Sequence, residues 1–143
     1  MAVAARTDLA FQQCIAPACG ATFSVDEVLT SCPSCGNLLD VTYDWDRLPA
    51  PISFELFERK WMRRSDPLAL SGVWRFHELL PFAPRESVVT IGEGQTLLSV
   101  SDGVGRYVGM NSGQLHLQYE GLNPSGSFKD NGMSAAFSHA RII

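Results

Sequence analysis

Asn123-Pro124-Ser125-Gly126-Ser127-Phe128-Lys129-Asp130-Asn131-Gly132 decides the fold, because the chain changes period on either side of it. Before it, Leu115-His116-Leu117-Gln118-Tyr119-Glu120 alternates apolar and polar as a half-buried strand does, and Gly121 to Gly126 is rich in turn formers. After it, Phe128, Met133, Ala136, Phe137 and Ala140 form an approximate apolar stripe at helical spacing, and Ser127 offers the hydroxyl of an N-cap. Strand, loop and helix in that order put Lys129 in a first helical turn. The partial positive charge there disfavours an ammonium group, so a structural lysine prefers the other end. A reactive lysine gains from the same place, since the dipole and desolvation favour the neutral amine that attacks a carbonyl in Schiff-base chemistry. The bland alternative is a solvated lysine held by Asp130, which is the better reading for an arbitrary lysine.

The run from Tyr119 to Gly132 resembles the cofactor-lysine segment of threonine synthase, a pyridoxal-phosphate (PLP) enzyme of the tryptophan synthase β-like fold. Two further stretches, Gly72-Val73-Trp74-Arg75-Phe76 and Gly92-Glu93-Gly94-Gln95-Thr96, look like landmarks of the same family in the expected order. The resemblance implies an α/β fold, the N-terminal part of that PLP-dependent architecture. It implies that Lys129 is catalytic and cofactor-binding, forming the Schiff base with PLP and moving protons at the substrate carbons. Among Ser125, Ser127 and Asn131, Ser127 is the first choice for orienting cofactor or substrate. The implied reaction converts O-phospho-L-homoserine and water to L-threonine and phosphate, with a small-molecule substrate as partner, and a homodimer is left open for the full-length protein.

Two departures qualify the resemblance. Leu97 stands where the family has proline in Gly-Glu-Gly-x-Thr-Pro-Leu, which removes a fixed φ from the turn. In the family, the phosphate loop, the group facing the pyridine nitrogen and the substrate-carboxylate loop lie beyond the lysine helix, and His139-Ala140-Arg141 still reads as that helix. The expectation is therefore a truncated portion, inactive alone, with sheet edges and apolar faces uncovered. Other readings are a cysteate synthase-like or threonine dehydratase-like enzyme of the same fold, which the two further landmarks disfavour, or a zinc-ribbon binding or regulatory module carrying a vestigial enzyme half.

A chain of 143 residues can bury a core as one domain, and its 45% hydrophobic and 18% charged residues are ordinary for a globular protein. A net charge of -4 and a pI near 5.2 argue against a general nucleic-acid or anionic-membrane binder. No apolar run is long enough to span a bilayer, and the start, with Arg6 and no apolar core, does not read as a secretory signal. The expected location is the cytoplasm, although a short transit peptide in the first dozen residues would escape this reading.

All four cysteines lie early, as Cys14-x4-Cys19, twelve residues, then Cys32-x2-Cys35. Each pair ends in Cys-Gly, and a glycine with positive φ lets backbone N–H groups turn toward the preceding thiolates. Two such knuckles supply four sulfurs, a set that suits structural Zn2+ and resembles a zinc ribbon; iron and disulfides are the alternatives, the latter disfavoured in a reducing compartment. Ala21–Val25 and Leu38–Tyr43 read as the ribbon's partner strands. Pro49-Ala50-Pro51 closes the segment, giving residues 1–49 as the ribbon and 50–143 as the truncated catalytic part.

Beyond that boundary, Ser53 is a candidate N-cap for an amphipathic helix with Phe54, Phe57 and Trp61 on one face, and Arg59, Lys60, Arg63 and Arg64 near its end suit the helix dipole. Asp66-Pro67 restarts the chain. Trp74, Phe76 and Leu79-Leu80-Pro81 read as packing surface, with His77 structural. Val88–Ile91 and Leu97–Val100 are expected strands around the Gly-Glu-Gly turn, and a turn or helical turn fills Gly103 to Gly113.

Overall fold

The computed structural model describes residues 7–49, 51–63 and 65–143; Arg6, Ala50 of the Pro49–Pro51 boundary and Arg64 of the basic group lie outside the described residues. The architecture is mixed α/β with two small antiparallel sheets. The first holds β1 (Ala10–Cys14), β2 (Thr22–Ser24) and β3 (Leu39–Tyr43) in the order β2-β1-β3. Sequence periodicity finds β2 and β3 but pairs them with each other. In the structure both pair with β1, Gln12 lying opposite Phe23 on one side and Val41 on the other. The Ala-Phe-Gln-Gln-Cys of β1 carries no clean alternation, so its central place comes from its two neighbours.

Short helices follow. The helix α1 (Glu55–Lys60) starts one residue later than expected, with Phe54 as an N-cap that makes no side-chain bond, so Ser53 does not cap it. Of the face predicted to be apolar, Phe57 is buried and Phe54 is 72% exposed. Asp66 caps α2 (Pro67–Leu70) by accepting the Leu68 N–H, with Pro67 at the first helical position where its missing N–H costs nothing. A 3-10 segment, Trp74–Leu79, then brings Trp74 to the centre. Trp74 is fully buried in a cluster with Ala10, Val25, Leu68, Phe82 and Ala83, so the first sheet shares one core with the residues after the proline boundary. His77 is structural, its Nε2 3.0 Å from the Ala83 carbonyl.

Val88–Ile91 is not a strand. Its backbone is taken up by side chains instead: the Val89 N–H donates to Ser138 Oγ at 2.8 Å and the Val89 carbonyl accepts the Trp74 indole N–H at 3.0 Å. The second sheet pairs β4 (Leu97–Val100) with β5 (His116–Tyr119), around α3 (Asp102–Tyr107). Every residue of both strands is exposed.

The last element, α4 (Lys129–Ile142), corrects the sequence reading most sharply. Phe128, Met133 and Phe137, expected to pack, are 64%, 45% and 54% exposed, while Asp130, Ser134 and Ser138 are buried. Residues four apart share a helix face, so α4 turns a polar stripe inward and is joined to the main core by Ala135 and Ile142. The reason lies in the site. Among the described residues no helix is long and apolar enough to cross a membrane.

Candidate functional site

The loop that carries Lys129 is built from side chains bonded to backbone. Asn123, buried after β5, donates through Nδ2 to the Glu120 carbonyl at 3.0 Å and to Glu120 Oε2 at 2.7 Å. Its carbonyl accepts the Gly126 N–H at 2.7 Å, and Gly126 takes φ +77°, a conformation that glycine tolerates best. Asp130 accepts both the Ser125 N–H, at 2.8 Å, and the Ser125 hydroxyl. Asp130, the partner of Lys129 in the bland sequence reading, has its carboxylate committed to Ser125 instead. Ser127 is not the N-cap, since α4 begins at Lys129 after a helical Phe128, but its Oγ accepts the Lys129 N–H at 3.2 Å. Lys129 itself is exposed, and among the described residues no hydrogen bond or ion pair holds its amine.

The three landmarks meet beneath this loop. The Gly72 N–H donates to the Glu93 carbonyl at 2.7 Å. The two backbones are so close that a Cβ added at Gly72 would sit 2.6 Å from the Gly94 Cα. Gly94, at φ +82°, donates its N–H to Asn123 Oδ1 at 2.8 Å, and Asn131 Oδ1 faces the same turn. The Glu93 side chain is fully buried. Its Oε1 accepts the Ser71 hydroxyl, and its Oε2 accepts the Thr90 hydroxyl at 2.7 Å and the Ile91 N–H at 3.2 Å. Burial alone would push this carboxyl up, but donors from Ser71, Thr90 and Ser134 outweigh it and hold Glu93 below the usual glutamate range. Sequence reasoning has Asn123-Pro124 fixing the loop's entry and Glu93 inside the Gly92–Thr96 landmark, but not what their side chains hold, because the deciding partners, Ser71 for Glu93 and Gly94 for Asn123, lie far away in number.

The second candidate centre is sulfur. The Sγ atoms of Cys14, Cys19, Cys32 and Cys35 all lie within 4.8 Å of one another, with Cys14–Cys35 at 3.5 Å and Cys19–Cys32 at 3.8 Å, and all four are free thiols. A tetrahedron of metal–sulfur bonds of about 2.3 Å has sulfur–sulfur edges of about 3.8 Å, so the donor set and its spacing fit a closed Zn2+ site. Gly20 and Gly36 take φ +57° and +75°, the conformation expected of the two knuckles. The Asn37 side-chain amide, 3.3 Å from Cys35 Sγ, leads with its backbone N–H in pulling that thiol down to about 6. Cys14 receives a backbone N–H from Ala16 that pulls it down, yet burial and its three thiol neighbours push it up to about 12. A cation bound by all four sulfurs would displace whatever protons they carry.

The chain is thus a mixed α/β segment with an exposed lysine opening a helix, joined to a small sheet that carries a four-thiol cluster. No family model matches the chain. It is 34% identical to the threonine synthase of Methanocaldococcus jannaschii over 132 residues, 92% of this chain and 29% of that protein. It is 37% identical to the threonine synthase of Methanosarcina acetivorans over 122 residues, 85% of this chain and 26% of that protein. To the protein named threonine synthase 2, chloroplastic, of Arabidopsis thaliana it is 32% identical over 132 residues, 25% of that protein. By sequence the chain belongs to the threonine synthase family, and it spans less than a third of the length of these relatives.

Proposed function

We propose that the chain is the N-terminal, lysine-bearing portion of a threonine synthase-like lyase of the tryptophan synthase β-like fold, acting in a full-length protein on O-phospho-L-homoserine and water to give L-threonine and phosphate. The carrying observation is the state of Lys129: its amine is exposed and unclaimed among the described residues, on a loop whose other polar groups are bonded to one another. An aldehyde-bearing cofactor needs such an amine, and Ser127 lies two residues away, so these residues fit the lysine end of PLP. That group, when bound, supplies the electron sink that lets phosphate leave and water add. The chain's own part is to present Lys129 Nζ as the group that accepts and returns protons at the substrate carbons, with Ser127 Oγ as the adjacent polar contact. Contacts to the cofactor phosphate and ring nitrogen fall, in this reading, to residues that the family carries beyond the lysine helix. Residues 1–49 form a structural Zn2+ ribbon and 50–143 belong to the catalytic part. The four reduced thiols suit a cytoplasmic setting.

The test is absorbance of the purified chain with added PLP, before and after borohydride, with Lys129→Ala as control. A reducible band confined to the lysine-containing protein supports the reading, and an equal signal from Lys129→Ala sinks it.

A further inference from the structure

The chain's only fully buried carboxylate among the described residues is Glu93, and nothing in the proposed chemistry uses it. A buried charge survives when its lone pairs are filled, and Glu93 draws its donors from two separate places: Ser71 before the Gly72–Phe76 stretch, and Thr90 and Ile91 beside its own turn. Its two backbone neighbours then act outward. The Glu93 carbonyl holds the Gly72 N–H, and the Gly94 N–H is held by Asn123 Oδ1 at the start of the Lys129 loop. The inward polar face of α4 meets the neighbouring backbone, Ser138 Oγ accepting the Val89 N–H.

We propose that Glu93 and Asn123 are positioning residues for Lys129: the buried carboxylate fixes the Gly92–Gly94 turn, and Asn123 transmits that position to the loop and first turn from which the lysine works. The assignment deepens the lysine-enzyme reading and rests on it for its purpose, while the mechanical coupling stands or falls separately. Lys129 touches neither residue directly in the hydrogen-bond network, so the effect runs through Gly94, the Asn123 backbone and the Ser125–Asp130 clasp.

The experiment uses the full chain and three variants: Asn123→Ala, Glu93→Gln and Ser71→Ala. Amide hydrogen exchange is followed in residues 123–130 and, as reference, in β1 to β3. PLP with borohydride then labels the two lysines of the chain, Lys129 and Lys60, the latter an internal standard tied to Glu78 and the Arg75 carbonyl. The expected result is exchange in residues 123–130 accelerated about tenfold with β1 to β3 unchanged, and a matching fall in the Lys129-to-Lys60 labelling ratio. A merely structural role would speed exchange everywhere and overturn the proposal, as would unchanged exchange in 123–130 in folded variants. If Glu93→Gln does not fold, Asn123→Ala decides, since it leaves the donors to the Glu93 carboxylate in place. If wild-type Lys129 takes no label above Lys60, the functional reading fails; local acceleration in the variants still upholds the coupling, and its absence overturns that as well.

Discussion

The two sheets are both antiparallel and both fully hydrogen-bonded in register, yet they are held in opposite ways. The β1 to β3 sheet sends Ala10 into the core with Trp74, is met by Val25 just beyond β2, and ends at Cys14 among the thiols. The β4–β5 ribbon leaves every residue exposed. Leu97, Leu117 and Tyr119 share one face, and Leu98 and Val100 the other, with no covering element among the described residues. Hydrogen bonding thus sets the geometry of a strand pair, whereas its contribution to stability depends on what its faces bury.

That contrast can be broken from its strong end first. If a metal closes the four thiols, chelation or Cys32→Ser should remove on the order of 10 kcal/mol from the first sheet and abolish its far-UV signal, because the metal-binding energy is folding energy. Metal analysis showing no ion, with a denaturation curve indifferent to chelator, would reduce that sheet to its hydrophobic contacts. Those contacts are probed by Trp74→Ala, expected to cost about 3–5 kcal/mol in urea denaturation, since the indole is fully buried in the shared cluster. A cost below about 1 kcal/mol would show that the first sheet does not depend on that core.

The glycine contact comes next in expected effect. Gly72→Ala should cost about 1–3 kcal/mol, because the new methyl meets the Gly94 Cα at 2.6 Å and one backbone must retreat. An unchanged urea midpoint would mean that the two turns separate freely. The Glu93 carboxylate adds a pH signature. Its folded value is depressed, so the stability it contributes is complete above the ordinary glutamate value of 4.5 and is lost as pH falls through the lower folded value. Urea midpoints measured downward from pH 6 should therefore fall more steeply in wild type than in Glu93→Gln; parallel curves would remove Glu93 from the acid response. At the weak end, Leu98→Lys on the uncovered ribbon should change stability by less than about 0.5 kcal/mol, and a larger loss would reveal a covering contact.

Much of this organisation can be read from residue order alone. The cysteine spacing and its Cys-Gly endings anticipate the thiol cluster, strict alternation finds β5, and the turn-rich run before Lys129 places the lysine at a helix start. What escapes is whatever depends on partners distant in number. The central position of β1 is set by strands on both sides of it. Val88–Ile91 has the composition of a strand, but Trp74 and Ser138 satisfy the Val89 peptide groups that a sheet would otherwise claim. For α4, helical periodicity correctly indicates two faces but cannot say which one turns inward. The Val89 N–H decides it, by demanding a hydroxyl partner where an apolar stripe would have left it unpaired.

The meeting of Gly72 with Glu93 and Gly94 also constrains how such a chain can drift. Most packed pairs can be repaired after a substitution, one side chain shrinking as its neighbour grows. Here neither glycine has a side chain to surrender. A substitution at either has no complementary remedy at the other, so the two turns must be inherited together, and the lysine loop bonded to Gly94 is inherited with them.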